Sequence, residues 1–303
     1  MSSHGVVIKT VEEKGIDVLK EKIVQNLEDT LTILDWCHKN NIRVYRMSSE
    51  LFPHKSNPKV ENYDFDFAMP LLKAIGQKSK NLGIRLTFHP GQYNVVGSPL
   101  KCAFDQTIAD LSYHAQVMDH MELGVDSVMV VHGGGIYGDK QATMERWCTQ
   151  YKLLPDCVKR RLVLENCEKC FSIKDCLWVS SQIGIPVVMD SHHHDCYQKL
   201  HPLESLEEGG YYMGDVMQTW IKRGIKPKVH VSEQGSGRCG HHSDYIEELP
   251  NYFLEIPQKY GISLDIMIEA KMKEKAIMRL YKKYGSQVIP LKKKKRNYRL
   301  VIV

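Results

Sequence analysis

Seven apolar, β-type runs in this chain each reach a polar, metal-capable side chain at or near their C-terminal end. They are IRVYRMSSE to Glu50, GIRLTFH to His89, SVMVVH to His132, RLVLE to Glu165, IPVVMD to Asp190, PKVH to His230 and LDIMIE to Glu269. A strand buried on both faces of a parallel sheet reads as a continuous apolar run. Helical patterns separate the runs, which makes them βα units. In a β/α barrel the C-terminal strand ends meet at one mouth, where chemistry is done. His, Asp and Glu delivered to one mouth are donors that zinc and manganese accept. Two such metals roughly 3.5–4 Å apart clamp the attacking and leaving oxygens of a phosphodiester displacement. A single polar strand end needs no functional explanation. Seven in succession, all of ligand type, point to a site.

The 303 residues suffice for one large α/β domain, and 43% hydrophobic with 25% charged residues is ordinary for a globular protein. No apolar stretch approaches the roughly 20 residues of a membrane span. No apolar segment follows a basic start, which argues against secretion. Nine cysteines without an export signal fit reduced thiols. The expectation is therefore an intracellular protein, cytoplasmic or nuclear, with no membrane partner and no obligate protein partner evident. The net charge of +5 is mild, and much of it lies in Lys292–Arg296. Such a run binds phosphates, serves as a nuclear address or is simply solvated.

Along the chain, helical periodicity runs over 10–41, then near 65–82, 105–122, 141–152, 173–183, 212–222 and 271–284. These alternate with strands at 42–48, 83–89, 127–132, 160–165, 185–190, 227–232 and 263–269. No repeat or linker interrupts them. The expectation is a (β/α)8 TIM-type barrel in one domain, residues 1–285, followed by a basic tail, 286–303. Eight strands are wanted and seven are found, so the first strand is missing or substituted. Gly5–Lys9 is the first choice to fill its slot, and the C-terminal NYRLVIV (297–303) the second.

Smaller signals have bland competitors. Cys167 and Cys170 form one C-x-x-C, a poor zinc signal without a second pair, and inert thiols are the competing reading. The glycines 133–135 would let a phosphate approach the backbone, but their spacing does not fit a nucleotide-binding fingerprint.

Taken together, YRMSSELFP (45–53), FHPGQYNVVGSP (88–99), VHGGGIYGDK (131–140), LENCEK (164–169), VVMDSHHH (187–194), PKVHVSEQ (227–234), HHSDYI (241–246) and DIMIEAKMKE (265–274) resemble the ultraviolet damage endonucleases. The resemblance runs from about residue 10 to 276. It implies a β/α barrel with a cluster of divalent metals. Manganese, two or three ions, is the implied metal, with Zn2+ and Mg2+ as alternatives. It further implies a DNA-repair endonuclease that nicks damaged double-stranded DNA 5′ to ultraviolet photoproducts and leaves a 3′-hydroxyl.

Carried over by motif, the implied metal ligands are His89, His132, Glu165, Asp190, His193, His230, His242 and Glu269. Lys228 and Glu269 are the implied catalytic residues, and Gln92 and Tyr93 the implied lesion probes. Structural histidines remain the competing reading for His89 and His132, and packing beneath the loop for Tyr93. Asp190 and His193 form a D-x-x-H pair one turn apart, which leaves His192 and His194 to second-layer or DNA-facing roles. Lys228 shares a strand face with His230. It is either carboxylated into an anionic ligand or a phosphate-pairing ammonium. Asn57 stands where the family commonly has histidine, which would weaken one metal site; His54 is a substitute or a surface residue. The alternatives for function are an abasic-site endonuclease, a sugar-isomerase-like metal barrel, or a non-catalytic paralogue that binds metal or DNA.

Overall fold

A computed structural model of the protein describes residues 3–285 and the backbone of 300–302. The basic run 292–296 lies outside them. The strands are β1 Val44–Met47, β2 Arg85–Phe88, β3 Met129–His132, β4 Leu162–Glu165, β5 Val187–Val188, β6 Lys228–Val231, β7 Leu264–Ile268 and β8 Leu300–Ile302. The helices are α1 Ile8–Lys14, α2 Asp17–Lys39, α3 Met69–Leu82, α4 Lys101–His120, α5 Lys140–Leu153, α6 Asp156–Lys159, α7 Ile173–Ile183, α8 Ser191–Leu200, α9 Gly209–Arg223, α10 Asn251–Leu254, α11 Ile256–Tyr260 and α12 Glu274–Tyr284. None of the described helices is long and apolar enough to cross a membrane. This is an α/β fold of parallel strands.

The chain forms two compact units. The first holds residues 1–94, 100–130 and 154–161. Its core is Leu19, Ile23, Leu27 and Leu34 of α2, Leu72 and Ile75 of α3, and Val44, Leu86 and Phe88 of the strands. β1 pairs with β2 over Val44↔Arg85 to Met47↔Phe88. The periodic stretch 10–41 is two helices rather than one, broken at Gly15.

The second unit holds residues 95–99, 131–153 and 162–303. Its core includes Trp147, Val163, Leu164, Phe171, Val216, Trp220, Val229 and Ile266. Parallel pairing runs from Glu165↔Val188 through Asp190↔His230 to His230↔Met267, so these strands end on the same side. α7 starts with a reciprocal cap. Ser172 Oγ accepts the Asp175 N–H, and the Asp175 carboxylate accepts the Ser172 N–H. It stops at Gly184, whose φ of 72° is left-handed and suits glycine.

The eighth strand comes from the second-choice segment and not from the first. Gly5–Lys9 is not a strand: Ile8 and Lys9 begin α1, whose sequence IKTVEEK favours helix. β8, from the C-terminal run, pairs in parallel with β7 through Leu264↔Leu300 and Ile266↔Ile302. Two of its three residues are β-branched, and no helical pattern competes there. The rest of that run lies outside the described residues.

Candidate metal centre

Six of the sequence-derived ligands come together in the second unit, from the ends of five strands or the segments that directly follow them. His132 ends β3, Glu165 ends β4, Asp190 follows β5, His193 opens α8, His230 lies in β6 and Glu269 follows β7. Backbone bonds hold these ends in register. The His230 N–H donates to the Met189 carbonyl at 2.9 Å, and the Glu269 N–H to the Val231 carbonyl at 2.9 Å.

Glu165 is the hub. Its Oε1 lies 2.7 Å from His230 Nδ1, and its Oε2 lies 3.1 Å from His132 Nε2. The same His230 nitrogen lies 3.3 Å from Glu269 Oε1. His193 Nδ1 is 3.8 Å from both Glu165 Oε1 and Asp190 Oδ2. Glu165, Asp190, Lys228 and His230 are fully buried.

Asp190 divides its two oxygens. Oδ1 accepts the His193 N–H at 2.8 Å and so caps α8. Oδ2 is buried with no hydrogen-bond partner among the described residues. A buried orphan carboxylate oxygen is costly unless something else satisfies it. One donor atom each from Glu165, Asp190 and His193 lie within 4.8 Å of one another. Two carboxylates and an imidazole, with no thiolate, fit a divalent ion such as Mn2+ or Zn2+.

The electrostatics divide the set. Burial opposes the charge on Glu165, but the facing His230 and His132 outweigh it and hold the carboxyl well below its usual range. Burial would lower His132, yet Glu165 raises it to about 9. His193 is likewise raised to about 9, against its burial, by Asp190, Glu165 and Glu269. Burial pushes Asp190 up to about 6. His230 goes the other way, lowered by burial and by Lys228, so it is neutral. A neutral imidazole is the ligand form.

His242 lies on the loop after β6, its ring 6.3 Å from that of His193. Lys228 is two residues ahead of His230 on β6. His89, Gln92 and Tyr93 belong to the first unit: His89 directly follows β2, Gln92 is exposed and Tyr93 half-exposed. His194 does not face solvent. It is buried, with Nε2 2.9 Å from the Glu207 carbonyl. His192 is also buried, with Nε2 3.5 Å from Cys196 Sγ. His54 bonds the Val6 carbonyl at 2.6 Å, and the Asn57 side chain accepts the Lys59 N–H at 3.0 Å. Cys167 is wrapped by its own turn, its sulfur accepting the N–H groups of Cys170 and Phe171. Gly133 is demanded by packing, since a Cβ there would sit 2.2 Å from the buried Phe171 ring.

One contributor escaped the sequence reading. Asn166 accepts the Asp190 N–H at 2.8 Å and donates to the Asp190 carbonyl at 3.0 Å. Its own carbonyl lies 3.1 Å from His193 Nδ1, which fixes that ring. Its position beside Glu165 was the available signal.

The profile of the family described as UV-endonuclease UvdE matches residues 6–297. A putative UV-damage endonuclease of Acanthamoeba polyphaga mimivirus is 38% identical over 288 residues, covering 93% of this chain and 86% of that protein. Of two longer relatives the chain spans 47% and 42%. The crystal structure of SacUVDE superposes with a TM-score of 0.80 at 30% identity, over 93% of each chain. A D-psicose 3-epimerase from Clostridium cellulolyticum H10, a TIM-barrel sugar epimerase, shares the fold alone. Its TM-score is 0.55 at 12% identity, over 80% of this chain and 79% of that one.

Proposed function

The chain belongs to the UV-endonuclease UvdE family, and on that premise we propose that it is a divalent-metal-dependent endonuclease that nicks DNA 5′ to ultraviolet photoproducts and leaves a 3′-hydroxyl. The observation that carries metal dependence is the buried, unpartnered Asp190 Oδ2 among Glu165 and His193. In this reading Glu165, Asp190, His193, His132, His230 and Glu269 hold the metals, with His89 and His242 completing the set as the sequence motifs suggest. Manganese is the proposed ion.

When bound, the metals supply Lewis-acid stabilisation of the phosphoryl oxygens and lower the pKa of water. The protein's own part is orientation. Glu165 aligns His132 and His230, and Asn166 fixes Asp190 and His193. Groups held this way need little reorganisation as charge develops. Lys228 is proposed to balance charge at the phosphate, as an ammonium or as a carboxylated anionic ligand. Glu269 is proposed as the carboxylate nearest the reaction. DNA affinity would come mainly from phosphate contacts and fall with salt. Gln92 and Tyr93 would probe the lesion, by hydrogen bonding and stacking on unpaired bases.

A plasmid assay tests the reading: irradiated against unirradiated DNA, each with and without Mn2+. Nicking confined to irradiated DNA with Mn2+ supports it. Equal nicking of both DNAs, or none of either, overturns it.

A further inference from the structure

The first unit contains a buried carboxylate outside the metal centre. Asp110 lies on α4 and is 1% exposed. Three side chains from two loops donate to it. Ser56 Oγ reaches Oδ1 at 2.6 Å, and Tyr93 OH reaches the same oxygen at 3.2 Å. Asn94 Nδ2 reaches Oδ2 at 2.8 Å and also the Gly91 carbonyl at 3.0 Å. His114, one turn along α4, lies 3.5 Å from Oδ2. The Tyr93 ring also lies close over Gly91, where an added Cβ would come within 2.4 Å of its Cε1. The ring nevertheless keeps 51% of its surface exposed and borders a polar cavity of about 300 Å3 lined in part by Phe52, Ser56 and Tyr113.

We propose that Asp110 is a positioning residue for damage recognition: through the Tyr93 hydroxyl and the Asn94 amide it sets the pose of the ring that meets the lesion. This rests on the proposed lesion-probing role of Gln92 and Tyr93. An exposed tyrosine on a surface loop ordinarily samples several rotamers, and ordering it at the moment of binding costs affinity. A buried carboxylate at the hydroxyl end removes that cost in advance. Burial and Asp110 together raise the Tyr93 phenol, so it remains a donor at neutral pH. Hydrogen bonds to a charged acceptor are the strong kind. The Ser56 bond ties the 54–58 loop to the same anchor.

The test compares Tyr93→Phe, Asp110→Asn, the double variant and Tyr93→Ala. The readout is the ratio of affinities for irradiated and unirradiated duplex, with KM and kcat on irradiated plasmid. Tyr93→Phe keeps the ring and loses the tether, and should lower the ratio roughly tenfold, the scale of one hydrogen bond to a charged group. The loss should appear in KM, with little change in kcat or melting temperature. Asp110→Asn should lower the ratio as well, with a lower melting temperature because its amide nitrogen faces a donor, and the double variant should lower the ratio no further than Asp110→Asn alone. If Tyr93→Phe keeps the wild-type ratio while Tyr93→Ala loses it, the tether is overturned and the probing role stands. If Tyr93→Ala also keeps the ratio, both fail. Should Asp110→Asn not fold, the two Tyr93 variants alone decide.

Discussion

His230 Nδ1 stands 2.7 Å from Glu165 Oε1, although 65 positions separate the two residues in sequence. Both are fully buried. The contact fixes which ring nitrogen of His230 faces the carboxylate, and the same carboxylate reaches His132 with its other oxygen. A single glutamate therefore sets two imidazoles.

Exhaustive chelation should abolish nicking of irradiated plasmid, and Mn2+ should restore it. The donor set is carboxylate and imidazole, with Asp190 Oδ2 lacking a hydrogen-bond partner among the described residues. Full activity in buffers verified metal-free by elemental analysis would rule out the metal role.

Metal affinity should rise with pH. His132 and His193, each raised to about 9 in the metal-free protein, must lose a proton to bind metal. Calorimetric titration with Mn2+ in two buffers of different ionisation enthalpy should show proton release at neutral pH that fades toward pH 9. For the metal-free fold the sign is set by folded pKa values above the unfolded value of about 6.5. That stabilisation is fully present below about 6.5 and is lost as pH rises through about 9. A melting temperature flat across that window would contradict the assignment.

Glu269→Gln and His230→Ala should each lower turnover by roughly 10²–10³, as for removal of one preorganised charge-stabilising group. Glu165→Ala should also cost about 3 kcal/mol in stability, because it strands two histidines. Single-turnover nicking and chemical denaturation separate the two effects. Near wild-type turnover in Glu269→Gln or His230→Ala would remove that residue from the set.

Gln92→Ala combined with Tyr93→Ala should weaken binding to irradiated duplex by about 1–3 kcal/mol, the scale of one stacked base. Binding to undamaged duplex, set by phosphates, should change less. Equal loss for both duplexes in a fluorescence-anisotropy titration would show that this loop does not read damage.

Gly133→Ala should destabilise the fold by about 1–3 kcal/mol through overpacking against the buried Phe171 ring. It should also weaken metal binding, because His132 is the preceding residue. A melting curve with an Mn2+ titration checks both.

The sequence by itself determined the alternation of strands and helices and the residues that end the strands. Buried parallel strands are written as apolar runs, so β2, β3, β4, β6 and β7 were legible, as were five ligand-type residues in or directly after β2, β3, β4, β6 and β7. Helix α8 was not legible, because SHHHDCYQKL carries no apolar stripe; it starts where Asp190 caps it. Only the tertiary structure separated His192, His193 and His194. Successive helical residues point about 100° apart, so one turns to Asp190 and Glu165, one to the Glu207 carbonyl and one to Cys196. The partner of β7 was decided at the same level. Gly5–Lys9 and the C-terminal run both read as β-type, and local propensity carries no information about which distant strand a segment will join. Pairing is a long-range hydrogen-bond ladder, and here its register, Leu264↔Leu300, joins strands that stand on either side of α12 in the chain.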